Sequence, residues 1–372
     1  MKTIRRLIYG EVLAAVGFVL LAFLSLFFFF DFVDELAELG RPAIGDPAQL
    51  YGLRHALLHV TLLMPSHIYE LMPIAVLIGS VFVLARLAQG SEYTILRTSG
   101  LGPWRALRIL VGLGAVFAVL TFAIGDYVAP AADRAAQLLK ANYRGGISVG
   151  QTGAWLKERQ AYSNFSVNVG SLSPQGALSD VRIFEFDNRG FLVSTLQARS
   201  GQIEGDDSWT LMQVQRREFD TAGLDSARIT RTDVPSLRWP SSLSTEMVSV
   251  ALLKPDRMRA IDLFAYVQHL EANGQTAQRY EIEFWRKVFY PLSCLVMVVL
   301  ALPFAYLHFR SGSITGYVFM GVMIGISFFL LNNAFGYIGN LRQWQPWLTA
   351  AAPALIYSVF SLGAFGWLVL RR

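Results

Sequence analysis

Six long apolar stretches flank one polar block that runs from Ala131 to Arg279. Hydrocarbon offers the backbone no water, so a stretch of about 20 apolar residues must close its hydrogen bonds internally as a helix. The pattern predicts helices near 7–32, 60–85, 103–128, 285–307, 314–337 and 347–370. The expected fold class is membrane α-helical, six transmembrane helices in a 3+3 arrangement, with an all-β domain inserted between the triplets. Inside the block, from Gly145 to Lys254, the apolar period shortens to two. Val181, Ile183, Phe184 and Phe186 precede the turn residues Asp187-Asn188-Arg189-Gly190, and Phe191, Val193, Thr195 and Leu196 follow them, which reads as a β-hairpin. Trp209–Gln215 and, more weakly, Ala227–Val234 read as further strands of an antiparallel sandwich or open roll. A helical run then begins at Pro255-Asp256 and closes at Asn273-Gly274. A second helix from about Thr276 is expected to pass straight into the fourth span as a rigid stem.

Two features interrupt this pattern. Residues 57–85 exceed one upright span and contain Pro65 and Pro73, with His67 and Glu70 between them. Both ionisable groups are read as hydrated and close to the outer interface. The connection Arg86–Gly100 reads as a short helix over about 91–99. Ser91 is the expected N-cap, Glu92 sits in the first turn, and Gly100 lies just beyond the end. Glu92, Ile95, Leu96 and Ser99 would share one side of it, suited to a groove on a cytoplasmic partner, and the same residues equally fit an ordinary capped connection between spans.

Composition strengthens the membrane reading, with 53% hydrophobic and 16% charged residues. The net charge of +5 invites a nucleic-acid partner, but no basic stripe interleaved with aromatics is present, and that class is excluded. Lys2, Arg5, Arg6, Arg86, Arg97, Arg105, Arg108, Arg310, Arg371 and Arg372 fall on one side of the spans. Arg41, Arg54 and Arg342 fall on the other, beside Asp34, Glu35, Glu38 and Asp46. The positive-inside bias places both termini in the cytoplasm and the block 131–279 outside it. The single cysteine, Cys294, precludes an intrachain disulfide or a cysteine zinc site.

Enzyme chemistry has no constellation. None of the five lysines follows a glycine, so there is no P-loop, and no His-Glu-x-x-His run occurs. The chain is expected to bind no metal or cofactor of its own. Gly321-x-x-x-Gly325 fits close helix packing. A secondary transporter of a small solute, or a non-transporting anchor that displays the β-domain, are readings that the pattern leaves open.

Several stretches together resemble the lipopolysaccharide export permease family, its LptG side more than its LptF side. They are Phe32-Val33-Asp34, Leu87-Ala88-Gln89-Gly90-Ser91-Glu92 with Ser99-Gly100, Val128-Ala129-Pro130, and Glu271-Ala272-Asn273-Gly274 with Arg279-Tyr280-Glu281. Phe284-Trp285-Arg286-Lys287-Val288-Phe289-Tyr290-Pro291-Leu292, Ala301-Leu302-Pro303-Phe304 and Phe329-Leu330-Leu331-Asn332 complete the set.

The resemblance implies spans one to three over 1–130, a periplasmic β-jellyroll over 131–256, a helical stem over 257–284, and spans four to six over 285–372. It implies an inner-membrane permease that pairs with an LptF-like paralogue and a cytoplasmic LptB-like ATPase dimer, which holds the ATP and Mg. Lipopolysaccharide would be lifted from the outer leaflet and passed to LptC/LptA-like periplasmic bridge proteins. Glu92, Tyr93, Ile95, Leu96 and Ser99 would form the ATPase-coupling surface. Helices one and five would line the lipid cavity, through Phe27, Phe28, Phe30, Phe328, Phe329 and Asn332. Apolar walls are required there, because exposing one acyl chain of about twelve carbons to water costs roughly 10 kcal/mol. Arg134, Lys140, Arg144, Arg286 and Lys287 are the expected head-group contacts. Family members carry lysines near the outer end of the first helix, where this chain has Asp31 and Glu38.

Overall fold

A computed structural model of the chain describes residues 2–43, 46–144, 153–160, 163–173, 176–204, 208–220, 228–244, 247–248, 255–306 and 314–370. Gly145, Ala227, Lys254, Arg310, Arg371 and Arg372, and the side chain of Arg144, lie outside the described residues. In chain order the helices are α1 (Lys2–Leu36), α2 (Leu53–Gln89), α3 (Glu92–Thr98), α4 (Pro103–Ala123), α5 (Ala129–Arg144) and α6 (Ala260–Ala272). Then come α7 (Gln278–Phe289), α8 (Ser293–Ala301), α9 (Ile314–Arg342) and α10 (Pro346–Leu370). Among the described residues, five helices are long and apolar enough to cross a membrane, or six if the bent pair α7–α8 counts as one span.

Two of these differ from the apolar pattern. The third helix does not stop at 128. A five-residue π turn, Ile124–Val128, joins α4 to α5, and the helix runs on to Arg144 through residues expected to open the β block. Alanine, leucine and lysine between Ala131 and Ala141 favour helix whatever their hydrophobicity. Pro130 lacks an N–H and crowds the turn before it, and the widened π turn ends just ahead of it. The expected rigid stem is also interrupted. The α7 and α8 axes differ by 46° across Tyr290–Leu292, at Pro291. By contrast, α2 continues through both Pro65 and Pro73.

The chain divides into two units, one of residues 1–34, 63–132 and 278–372, the other of residues 35–62 and 133–277. In the first, α2 is the central helix. Gly325 of α9 lies so close to α2 that a Cβ there would sit 2.8 Å from Ile74 Cγ2, and at Gly321 the gap to Val81 is 3.6 Å. The small-residue pair is thus used within the chain. On α4, Gly114 admits the backbone of Leu295 in α8.

The second unit carries β1 (Pro42–Ala43) and β2 (Asp46–Leu50), a small hairpin, and one six-stranded antiparallel sheet. Its strands are β3 (Ala154–Arg159), β4 (Asn164–Leu172), β5 (Ala177–Phe186), β6 (Leu192–Glu204), β7 (Ser208–Asp220) and β8 (Arg228–Pro240), in sequential order. The β5–β6 turn forms as the sequence predicts. Asp187 Oδ1 accepts the N–H groups of Arg189 and Phe191, both at 2.9 Å, and Gly190 takes φ +84°.

At about 4.8 Å per strand, β3 and β8 would be ~24 Å apart in a flat sheet. Instead Glu158, in β3, accepts from Ser241 Oγ at 2.7 Å and from the Ser242 N–H at 2.8 Å, just past β8. Phe165 of β4 also packs edge-on against Trp239 of β8, 5.6 Å between centroids. The sheet is therefore an open roll made by curling an up-and-down meander. Val167, Val181, Ile183, Ala198, Trp209 and Leu211 fill its interior.

Candidate functional site

The link between α2 and α4 is built to hold one short helix. At its end the Gly100 N–H donates to the Arg97 carbonyl at 3.1 Å and the Leu101 N–H to the Leu96 carbonyl at 3.0 Å. Gly100 takes φ +97°, and Leu101 is buried, which completes a Schellman stop. The start differs from expectation. Ser91 is left-handed (φ 61°) and its side chain makes no cap bond. It has to reverse the chain only two residues after α2 ends, and its N–H closes that helix on the Ala88 carbonyl at 3.2 Å.

Tyr93 turns inward, 3% exposed, with its ring edge-on to Tyr306 at 5.2 Å. It anchors α3 and offers no surface to a partner. Glu92, Ile95 and Ser99 face outward, and Leu96 is half-buried. Ile95, 62% exposed, is an apolar knob beside a carboxylate, outside the membrane spans.

Own-chain cover is least on two helices. In the most apolar windows of α1 and α9, 11% and 17% of residues are buried, against 78% in α2. These two therefore have most of their surface left for lipid or for another subunit. Phe30 and Phe329 are exposed on them, and Phe27, Phe28 and Asn332 are partly covered. Phe328 is not on that surface. It is buried between Tyr290 and Tyr357, with centroids 6.3 and 5.3 Å away.

Most of the expected head-group cations are already held. Arg286 donates to the Asn332 carbonyl at 2.6 Å and to Glu283 at 2.9 Å, binding α7 to α9. Lys287 is buried, and its Nζ donates to the Gly125 carbonyl in the π turn at 2.7 Å. A π turn leaves such carbonyls without their usual helical donor, which gives the lysine a structural task. Lys140 donates to Glu35 at 2.8 Å. Arg134 is exposed.

The sequence did not disclose the cluster around Glu35. This carboxylate is buried at the end of α1, where it accepts from Tyr51 Oη at 2.8 Å as well as from Lys140, with His59 Nε2 3.7 Å away. Burial and the adjacent Glu35 hold the Tyr51 hydroxyl well above its ordinary pKa, so it remains a donor. A second missed pair joins α1 to α2: His67 Nε2 donates to Asp31 Oδ2 at 2.8 Å. Among the described residues, no group of three metal-ligating side chains comes together.

The model of the lipopolysaccharide export system permease LptF/LptG matches residues 6–371. The chain belongs to the LptF/LptG family. It is similar to lipopolysaccharide export system permease protein LptG of Escherichia coli (strain K12), 28% identical over 344 residues, 92% of this chain and 90% of that protein. It is also similar to the LptG of Haemophilus influenzae, 25% identical over 374 residues, 100% of this chain and 99% of the relative. An LptF/LptG chain is a transporter subunit and not an enzyme. It is a multi-pass inner-membrane protein that works within an export system alongside partner proteins.

Proposed function

We propose that this chain is the LptG-like permease subunit of an ATP-binding-cassette exporter of lipopolysaccharide. It extracts the lipid from the outer leaflet of the inner membrane and passes it to LptC/LptA-like bridge proteins. Both termini and α3 are cytoplasmic and the β roll is periplasmic, a reading supported by the positive-inside bias of the short connections. ATP and Mg belong to an LptB-like ATPase dimer, and an LptF-like paralogue completes the lipid path. The walls of that path on this chain are the sparsely covered faces of α1 and α9, with Phe27, Phe28, Phe30, Phe329 and Asn332. Among the described head-group candidates, Arg134 is exposed and is the one left to meet an anionic head group, since Lys140, Arg286 and Lys287 have protein partners.

The observation that carries the ATP-coupled reading is α3. A helix of seven residues, fastened from behind by Tyr93 and stopped by Gly100, presents Glu92, Ile95 and Ser99 outward. Such a knob transmits force from a partner only if its own anchor is rigid, and here the anchor is the bundle core. The test is Glu92→Arg in the co-purified complex. Stimulation of ATP hydrolysis by lipid should be lost and export should stop. Wild-type export by that variant refutes the docking assignment. Export driven by an ion gradient, with no ATPase present, would favour the secondary transporter instead.

A further inference from the structure

On α1, full burial ends early. Ile8, Val12 and Val16 seat the cytoplasmic half, and at Gly79 of α2 a Cβ would lie 2.8 Å from the Val16 nitrogen. Val19 and Leu20 still touch the core, but from Gly17 to Asp34 no residue is buried. Apolar contact alone gives such a half no reason to stay, because lipid tails compete on equal terms with apolar side chains. Polar groups supply the reason. Arg86 of α2 bonds Glu11 of α1 at 2.5 Å, and His67 of α2 bonds Asp31 of α1 at 2.8 Å, with Phe27 stacked on the imidazole 4.7 Å away. Twenty residues of helix separate Glu11 from Asp31, about 30 Å, the thickness of the hydrocarbon layer. The two pairs thus fall at opposite faces of the membrane, where water and head groups tolerate charge.

We propose that these pairs pin α1 to α2 as one body, and that Asp31 and His67 are positioning residues that hold the outer half of α1 in place for lipid entry. This rests on the reading of α1 as a wall of the lipid path. Lipid then enters along the face of α1 opposite α2, where Phe18, Leu21 and Phe29 are exposed, and α1 does not peel away from α2.

The test uses the complete exporter in proteoliposomes, in a Cys294→Ala background, with lipopolysaccharide release and ATP hydrolysis read together. Asp31→Ala should lower release about tenfold, a change equivalent to the loss of one such hydrogen bond, while hydrolysis changes less than twofold. Exchanging the pair (Asp31→His with His67→Asp) should restore release. Asp31→Cys with His67→Cys should be weak and recover when a short thiol-to-thiol cross-linker replaces the pin. The proposal is overturned if Asp31→Ala releases lipid at the wild-type rate, if neither exchange nor cross-link restores release, or if cross-linking lowers it. A wild-type complex that releases no lipid would instead refute the function proposed above.

Discussion

The Glu35 cluster allows a quantitative test of what Lys140 is for. The carboxylate is buried and the ammonium, about one quarter exposed, lies 2.8 Å from it. At an effective dielectric constant of about 20 their attraction is ~6 kcal/mol. Desolvation of the carboxylate offsets most of that, leaving a net coupling of about 2 kcal/mol. Lys140→Met should therefore lower the opening free energy of α5 amides by about 2 kcal/mol, read by hydrogen exchange of the detergent-solubilised protein. In a Glu35→Gln background, which keeps an acceptor for Tyr51 without the charge, the same change should cost less than about 0.5 kcal/mol. Equal losses in both backgrounds would refute the pairing. If Lys140 instead meets the lipid head group, its removal should weaken lipid cross-linking whether or not Glu35 is charged.

Three further outcomes follow from named contacts. Gly100→Ala forces a Cβ into φ +97° and should cost about 1–2 kcal/mol of local stability in α3, seen as faster amide exchange there and reduced coupling of hydrolysis to export; unchanged exchange would contradict the stop. Gly325→Leu should push α9 from Ile74, lowering the detergent Tm by an overpacking cost of about 1–3 kcal/mol; an unchanged Tm would show that the two helices do not meet there. Burial lowers the pKa of His269, in α6, against a smaller opposing pull from Glu158. The unfolded chain then binds the proton more readily, so this contribution to stability is complete above about pH 6.5 and is lost as pH falls through the lower folded value. His269→Gln should flatten the pH dependence of unfolding below 6.5, and an identical slope would count against it.

The spans were legible because apolar length is a one-dimensional property, and the strands because alternation and the Asp187–Gly190 turn are local. What escaped was set elsewhere. The α5 extension follows from alanine propensity, which a hydrophobicity pattern ignores. Ser91 has the composition of an N-cap, but the closeness of α2 dictates its left-handed backbone. Phe30 and Phe328 are identical to a sequence pattern, and only the neighbours Tyr290 and Tyr357 distinguish a buried ring from an exposed one. Arg286 and Lys287 stood out as cations near a membrane boundary, but their acceptors are backbone carbonyls of Asn332 and Gly125, far away in the sequence. Asp31 and His67 stand 36 residues apart in the sequence. Their pairing depends on the packing of α1 against α2, which no spacing rule encodes.

Photocrosslinking at Ile95 tests the central claim most directly. A benzophenone residue placed there, in membranes carrying the native complex, should capture a cytoplasmic ATPase polypeptide, whereas the same probe at Val193 on the β roll should not. Export without any such adduct at Ile95, or capture of the ATPase from Val193, would contradict the account.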